Sequence, residues 1–356
     1  EAWQDSTKST EKYWRAFQAA FLLLSIESFT DPFSDDREIA DLIWFPTGGG
    51  KTEAYLGVAA FYMFLQRLEP PRNGEHRKDG TNVFMRYTLR MLTTQQFQRA
   101  ASLICSMEYI RARSVDTDLG TKPFTLGLWV GREASPNKWE DAKKAISKFK
   151  KGKTEGNPLV LTECPWCRSE IGLLKGKTPK DNTIAGIVNS NQPYLRCSDD
   201  RCHFGSMNTR LPIEVIDEAL YNTPPSMFIS TADKFAMLSF KPEAGSLFGL
   251  RHYPETNGPL ERVAEPPGLI IQDEFHLISG PLGSIYGLYE TVIERLCTQE
   301  IKGNPVRPKV IASTATIRGA VNQTNAIYSR SDDQLQLFPN PGLDISDSFF
   351  GRYARE

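Results

Sequence analysis

Residues 46–53 read Pro-Thr-Gly-Gly-Gly-Lys-Thr-Glu and stand between an apolar run at 40–45 and a helical pattern at 54–65. A strand that enters a glycine-rich turn and continues into a helix forms a phosphate-binding loop. Glycines let successive backbone N–H groups face an anion, and the helix N-terminus adds partial positive charge. Lys51 can then reach the β- and γ-phosphates, and the Thr52 hydroxyl can bind Mg²⁺.

The match to the strict P-loop pattern is incomplete, because that pattern has glycine where Phe45 stands. A turn that only caps the following helix is the alternative. The strand before it and the helix after it favour a phosphate loop, so we predict a nucleoside triphosphate site. Its predicted binding residues are Thr47, Gly48, Gly49, Gly50, Lys51 and Thr52.

A second motif lies at residues 269–276, where the apolar run Leu-Ile-Ile-Gln precedes Asp273 and Glu274. In parallel α/β sheets, ligands bind beyond the carboxyl ends of the strands, which would bring this pair beside the phosphate loop. We expect Asp273 to hold Mg²⁺ through water and Glu274 to polarise an attacking water. An acidic pair alone could simply cap a helix, and it is the phosphate loop that favours the catalytic interpretation.

Composition excludes several classes of protein. The 356 residues carry 24% charged residues and a formal net charge of −1, so the whole chain has no basic character that would favour nucleic acid. Its apolar runs are too short for a membrane span, and its start lacks a signal-peptide pattern. Six cysteines in this length do not suggest a secreted disulfide scaffold, so a cytoplasmic protein is expected.

Strand and helix patterns alternate along the chain, which predicts an α/β fold with a mainly parallel sheet and helices on both faces. Helices are predicted near 11–25, 52–67, 92–113, 137–149, 213–221, 284–299 and 318–328. Strands are predicted near 41–45, 82–88, 124–130, 226–230, 268–272 and 308–313. The predicted domains are 1–149 and 212–328 as two parts of one ATP-binding lobe, 150–211 as an insertion, and 329–356 as an exit segment.

The insertion contains Cys164-Pro-Trp-Cys167 and a second pair, Cys197 and Cys202. Two short-spaced cysteine pairs are typical of a four-thiolate zinc site, although His203 could replace Cys202 as a ligand. Four protein ligands leave no open position for catalysis, so the predicted role of Zn²⁺ is structural. Structural zinc contributes about 10–16 kcal/mol at neutral pH, which exceeds the roughly 3 kcal/mol needed to close the intervening loop.

The order of motifs resembles that of superfamily-two helicases, whose motifs I, Ia, II and III correspond to the phosphate loop, residues 90–95, Asp273-Glu-Phe-His276 and residues 313–316. The resemblance implies a RecA-like lobe that binds ATP. Gln18 is placed like the adenine-reading glutamine of these proteins, or it is an ordinary exposed helix residue. His276 would link the ATP state to motif III, which consists of Ser313, Thr314, Ala315 and Thr316.

Longer stretches of sequence resemble one family within this superfamily. Residues 44–56, 85–100, 272–284, 309–317 and 342–350 are similar to the DrmA helicases of the DISARM phage-defence system. That resemblance implies a prokaryotic, cytoplasmic anti-phage protein that binds DNA, hydrolyses ATP and works with a partner subunit of the same system. Motors of this superfamily use two RecA-like lobes. Only 40 residues follow Thr316, so we expect a second lobe C-terminal to this chain and weak or absent ATP turnover by this lobe alone.

Three functions compete at this point. The first is an ATP-driven DNA helicase or translocase, and the second is an ATP-gated DNA-loading switch without processive unwinding. A different P-loop enzyme, such as a kinase or GTPase, is disfavoured by the helicase order of the motifs. The resemblance implies DNA backbone contacts at the following residues: Arg90, Thr93, Gln95, Ser230, Thr231 and Lys234. The lysines at 143–153 and 175–180 either extend that DNA groove or form a solvated surface.

Overall fold

The computed structural model describes residues 13–45, 48–70, 79–87, 94–154, 156–178, 180–206, 209–235, 237–251, 260–315, 319–340 and 347–352. Its helices are α1 Ala16–Thr30, α2 Asp35–Glu38, α3 Lys51–Leu68, α4 Thr94–Arg113, α5 Trp139–Lys150, α6 Asp217–Asn222, α7 Ala232–Phe235, α8 Gly280–Cys297 and α9 Ala320–Tyr328. Short 3-10 turns span Pro242–Phe248, Phe275–Leu277 and Asp332–Gln334.

Strands of the central sheet are β1 Ala40–Trp44, β2 Val83–Tyr87, β3 Leu126–Trp129, β8 Ile213–Glu214, β9 Met227–Thr231, β12 Leu269–Gln272, β15 Lys309–Thr314 and β16 Leu335–Phe338. Two-stranded ribbons are formed by β4 Gly172–Leu174 with β5 Thr183–Ala185, β6 Ile187–Val188 with β7 Tyr194–Leu195, β10 Leu250–Arg251 with β11 Glu261–Arg262, β13 Gln299–Ile301 with β14 Asn304–Val306, and β17 Asp347–Ser348 with β18 Gly351–Arg352.

The central sheet has the strand order β16-β1-β15-β12-β2-β9-β3-β8, and its described neighbours all pair in parallel. The predicted α/β fold with a mainly parallel sheet is confirmed. Only β15 separates β1, which leads into the phosphate loop, from β12, which ends at the acidic pair. The two motifs therefore meet at one edge of the sheet, which we call the carboxyl edge because the parallel strands end there.

Both faces of the sheet are covered, which explains its continuous apolar runs. Ile43 and Ile271 pack on one face with side chains from α1, α3, α4 and α5. Their neighbours Leu42 and Ile270 point to the other face and pack with side chains from α6, α7, α8 and α9. The helices predicted on both faces are confirmed by this division.

Two strands of the central sheet differ from the sequence expectation. Residues 213–214 form strand β8 rather than the start of a helix, because Ile213 pairs with Leu126 of β3, and α6 begins only at Asp217. Residues 335–338, predicted as part of an exit segment, form the edge strand β16 beside β1. Four residues are too few to show a period, and the pairing that makes them a strand comes from β1.

After Lys150, which ends α5, the described residues of the insertion at 150–211 contain no helix and form two ribbons and two cysteine-bearing turns. It packs against α4, where the Ser102 hydroxyl donates to the Pro165 carbonyl (2.9 Å) and the Tyr109 and Trp166 rings lie 4.7 Å apart. The chain returns to the sheet directly after the insertion, where Leu126 N donates to Pro212 O (2.9 Å). That contact is at the amino end of β3, opposite the carboxyl edge.

Candidate nucleotide site and cysteine cluster

The phosphate loop turns through two left-handed glycines before α3 begins at Lys51. Gly48 has φ +81° and Gly50 has φ +94°, conformations that glycine adopts without steric cost. The Lys51 ammonium donates to the Phe45 carbonyl at 2.5 Å, so it lies over the loop. Burial lowers the pKa of Lys51, and the carboxylates of Glu274 and Asp273 oppose that change. Lys51 is therefore within electrostatic reach of both acids.

Side chains at the start of helix α1 donate hydrogen bonds to the phosphate loop. The Arg15 guanidinium donates to the Gly49 carbonyl (2.7 Å) and the Gln18 amide donates to the Gly50 carbonyl (2.9 Å). Gln18 Oε1 in turn accepts from the Arg15 backbone N–H at 2.9 Å. Gln18 is buried, so its interpretation as an ordinary exposed helix residue is wrong. Its role in reading adenine stays a prediction, and Thr47 lies outside the described residues.

Asp273 lies at the end of β12 with both carboxylate oxygens engaged. Oδ1 accepts from the Glu274 backbone N–H (2.9 Å), and Oδ2 accepts from the Tyr55 hydroxyl (2.8 Å). The same Tyr55 hydroxyl lies 3.2 Å from Thr52 Oγ1. The two predicted Mg²⁺ ligands, Thr52 and Asp273, are thus bridged by one phenol.

Sequence reasoning missed Tyr55. A weak signal was available, since Tyr55 follows Lys51 by four residues and Thr52 by three, and those spacings put side chains on the same face of a helix. Burial raises the pKa of the Tyr55 hydroxyl well above its ordinary value, so it remains a hydrogen-bond donor at neutral pH.

Glu274 and His276, both in the acidic motif, lie beside Thr314 of strand β15. His276 Nδ1 is 3.5 Å from Glu274 Oε2 and 3.4 Å from Thr314 Oγ1. Burial raises the pKa of Glu274, and the neighbouring charge of Asp273 raises it further. The structure therefore brings together His276 and Thr314, a pair that the motif order predicts to be coupled. Ser313 is buried, Ala315 is half-buried, and Thr316 lies outside the described residues.

The residues predicted to contact DNA differ in their exposure to solvent, and some lie outside the described residues. Gln95 is exposed in the first turn of α4, whereas Arg90 and Thr93 lie outside the described residues. Ser230 and Thr231 end β9 at the carboxyl edge, and both are buried.

Lys234 is also buried, and its ammonium pairs with the buried carboxylate of Asp217. Burial raises the pKa of Asp217, while the charge of Lys234 opposes that change. The charge of Lys234 is therefore paired with a carboxylate inside the protein.

The four cysteines of the insertion converge. The sulfurs of Cys164, Cys167, Cys197 and Cys202 all lie within 4.8 Å of one another, and those of Cys167 and Cys197 are 3.3 Å apart. Tetrahedral ligands at the usual Zn–S distance would be about 3.8 Å apart, so this donor set fits a four-thiolate metal site. His203 is not one of the grouped ligands, and its ring packs 4.8 Å from the Phe204 ring.

Tight turns hold the sulfurs in place. Cys164 N donates to Ser169 O (2.8 Å), and Arg168 N donates to Cys164 O (3.0 Å). In the second turn, Cys197 N donates to Phe204 O at 2.9 Å. Arg168 has φ +67°, a left-handed conformation that lets the first turn close. The grouping of the sulfurs is thus built into the backbone.

The exposed lysines lie away from the carboxyl edge. Helix α5 starts at the carboxyl edge, where Trp139 N donates to Glu218 Oε2 (2.9 Å) at the beginning of α6. It ends after 12 residues, about 18 Å along its axis, at Lys150, whose carbonyl accepts from Asn182 of the insertion (3.1 Å). The lysine run at 148–153 therefore lies toward the opposite edge from Ser230 and Thr231.

Comparison with known proteins supports the resemblance. The chain is 38% identical over 369 residues to DISARM protein DrmA of Bacillus paralicheniformis, an alignment that covers 95% of this chain and 32% of that protein. The resemblance to DrmA predicted from the sequence is confirmed, and the chain spans about a third of the relative's length. No family model matches the chain.

Two solved structures are similar at low identity. One is the DUF1998 helicase MrfA, with TM-score 0.44 and 12% identity over 94% of this chain and 31% of that one. The other is S. cerevisiae Dbp5 bound to Nup159, Gle1, IP6 and ADP, with TM-score 0.36 and 11% identity over 93% of this chain and 49% of that one. Within the described part of the chain, the helices are too short or too polar to cross a membrane.

Proposed function

From its homology to a third of DISARM protein DrmA, we propose that this chain is the ATP-binding lobe of an ATP-dependent DNA helicase or translocase in prokaryotic anti-phage defence. The observation that carries the proposal is the junction between the phosphate loop and the acidic pair. Thr52 at the start of α3 and Asp273 at the end of β12 approach one hydroxyl, that of Tyr55, although they are 221 positions apart in the sequence.

The residues at this junction divide the chemistry of hydrolysis. Lys51 and the N–H groups of the glycine loop would bind the β- and γ-phosphates. Thr52 and Asp273 would hold Mg²⁺, which, when bound, neutralises charge that develops on the phosphate oxygens. Glu274 would orient and polarise the attacking water. His276 and Thr314 would carry the state of the nucleotide to β15 and beyond.

Efficient turnover would require a second RecA-like lobe. Superfamily-two motors close two lobes over the nucleotide, and an arginine finger from the partner lobe is worth about a thousandfold or more in rate. The relative is about three times as long as this chain, which leaves room for such a lobe. We therefore propose that this lobe alone binds ATP and hydrolyses it weakly.

DNA would bind along the carboxyl edge of the sheet, near Gln95 and the ends of β2 and β9. Backbone N–H groups and polar side chains there would contact sugar-phosphate rather than bases. Because Ser230, Thr231 and Lys234 are buried, their part in such a groove would be to shape the turn after β9. The cysteine cluster would bind structural Zn²⁺ and hold the insertion against α4. A partner subunit of the defence system would complete the assembly.

The test is ATP hydrolysis and strand displacement by the longer protein that contains this lobe, together with its partner subunit. Glu274→Gln keeps the shape of the side chain but removes its charge, so it should retain ATP binding and lose DNA-dependent hydrolysis. Glu140→Gln, on the exposed face of α5, is the matched control and should match the wild type. Full DNA-dependent hydrolysis by Glu274→Gln would contradict the proposal.

Strand displacement separates the two modes of action. Hydrolysis with displacement supports a helicase or translocase. ATP-dependent DNA retention without displacement, in a wild type that still hydrolyses ATP, would instead support the DNA-loading switch.

A further inference from the structure

We propose that Tyr55 is a positioning residue for the metal ion, and that its hydroxyl sets the affinity of the nucleotide site for Mg²⁺ by orienting Asp273 and Thr52. This inference rests on the proposed function of the site as an Mg²⁺-nucleotide site. It assigns a role to a residue outside the phosphate-loop and acidic motifs.

The geometry around the Tyr55 hydroxyl is specific. Tyr55 is fully buried in α3, and its hydroxyl donates to Asp273 Oδ2 at 2.8 Å. Thr52 Oγ1 lies 3.2 Å from the Tyr55 hydroxyl oxygen, so the threonine hydroxyl can donate to that oxygen. A phenol that contacts both predicted metal ligands constrains the distance between them.

A second tyrosine reinforces this arrangement. Tyr87, the last residue of β2, is buried, and its hydroxyl lies 3.5 Å from that of Tyr55. Tyr87 also interacts with Asp273. The Asp273 carboxylate is thus held by the Glu274 backbone N–H on Oδ1 and by the phenol of Tyr55 on Oδ2, with Tyr87 alongside.

The chemical consequence follows from how metal ligands are oriented. Groups that hydrogen-bond a ligating carboxylate fix its direction, and their removal typically costs tenfold to a hundredfold in metal affinity. Mg²⁺ demands near-octahedral geometry, so it is sensitive to the relative position of its ligands. Loss of the Tyr55 hydroxyl should therefore weaken Mg²⁺-dependent binding and leave metal-free nucleotide binding unchanged.

Phenylalanine at this position separates positioning from packing. Tyr55→Phe keeps the buried ring and removes only the hydroxyl. Tyr62→Phe is the matched control, because Tyr62 is a buried tyrosine of the same helix, seven residues or about 10 Å farther from the loop. A general destabilisation of α3 would change the Mg²⁺ midpoint of both variants, whereas a role at the metal site would change only that of Tyr55→Phe.

The experiment measures binding of a fluorescent ADP analogue to the whole chain at Mg²⁺ concentrations from zero, in EDTA, upward. The wild type and Tyr62→Phe should share one Mg²⁺ midpoint. Tyr55→Phe should need about tenfold more Mg²⁺ while its affinity in EDTA is unchanged. In an Asp273→Asn background, which removes the carboxylate that Tyr55 orients and leaves only its contact with Thr52, Tyr55→Phe should shift the Mg²⁺ midpoint less than it does in the wild type.

The outcomes separate this inference from the proposed function. A wild type that responds to Mg²⁺, with the same midpoint in Tyr55→Phe, would overturn the role of Tyr55 and leave the proposed function standing. An additive loss of affinity in the Asp273→Asn background would also overturn it. A wild type whose binding does not depend on Mg²⁺ would contradict the site itself and therefore both proposals.

Discussion

The Gln18 side chain donates to the Gly50 carbonyl across 2.9 Å and so ties helix α1 to the phosphate loop. The contact also depends on the absence of a side chain at position 50, since a Cβ there would lie 2.7 Å from Gln18 Nε2. Helix α1 is therefore part of the nucleotide site although Gln18 precedes Gly50 by 32 positions in the sequence.

Removal of the Gln18 amide should weaken nucleotide binding. Gln18→Ala loses one hydrogen bond to the loop, which corresponds to about threefold to tenfold in affinity. The affinities of this variant for ATP and for GTP then distinguish two roles of Gln18. An equal loss for both nucleotides indicates support of the loop, whereas a loss for ATP alone indicates that Gln18 reads adenine. Unchanged affinity for both, measured by equilibrium titration, would contradict either role.

Alanine at the two left-handed glycines should have unequal effects. Gly48→Ala carries only the left-handed backbone penalty of about 1–2 kcal/mol, because nothing lies within 4 Å of its new Cβ. Gly50→Ala carries the same penalty and also displaces Gln18, so it should lower ATP affinity further. Urea unfolding and nucleotide titration of both variants check this order. A Gly48→Ala variant as impaired as Gly50→Ala would show that the Gln18 contact is unimportant.

Loss of one thiolate should abolish zinc binding. We expect the purified chain to hold one Zn²⁺, and Cys164→Ser to hold none and to unfold at a lower temperature, since four-thiolate zinc stabilises the fold. Cys297→Ser is the control, because Cys297 is equally buried but lies in α8, outside the cysteine cluster. Elemental analysis decides the matter. Full zinc content in Cys164→Ser would remove Cys164 from the ligand set.

Glu214 should make the stability of the fold depend on pH. Burial raises its pKa from 4.5 to about 7, although it accepts hydrogen bonds from the backbone N–H groups of Val215 and Ile216. Between these two values the folded state binds more protons than the unfolded state, so the free energy of unfolding falls as pH rises.

Glu214→Gln cannot titrate and removes this contribution. Between pH 5 and pH 8 the wild type should lose stability relative to the variant, as measured by urea unfolding. Parallel behaviour of the two proteins would show that the pKa of Glu214 is not raised.

Much of the fold was predictable because local patterns and long-range pairing agree. The strands that precede the phosphate loop and the acidic pair are mostly apolar, and the structure places them within two residues of the predicted bounds. Strand β16 was not predictable, because its four residues become a strand only through pairing with β1. The bounds of α1 were also shifted, since that helix is apolar on several sides and shows no clear period.

The candidate site was predictable to a similar degree. Motif order led to Lys51 and Asp273, because glycine loops and acidic strand ends have a recognisable local chemistry. Tyr55 was missed because a tyrosine in an apolar helix looks like any core residue until its partner across the sheet is known. Lys234 shows the converse case. Its sequence context suggests a phosphate contact, but its partner is Asp217, and that pairing exists only in the folded chain.

The most direct test of the account is a crystal structure of this chain with Mg²⁺ and a non-hydrolysable ATP analogue. We predict the β- and γ-phosphates within hydrogen-bonding distance of the Lys51 ammonium, and Mg²⁺ between Thr52 and Asp273. Nucleotide bound at another place, or an Asp273 carboxylate directed away from the metal, would contradict the central claim.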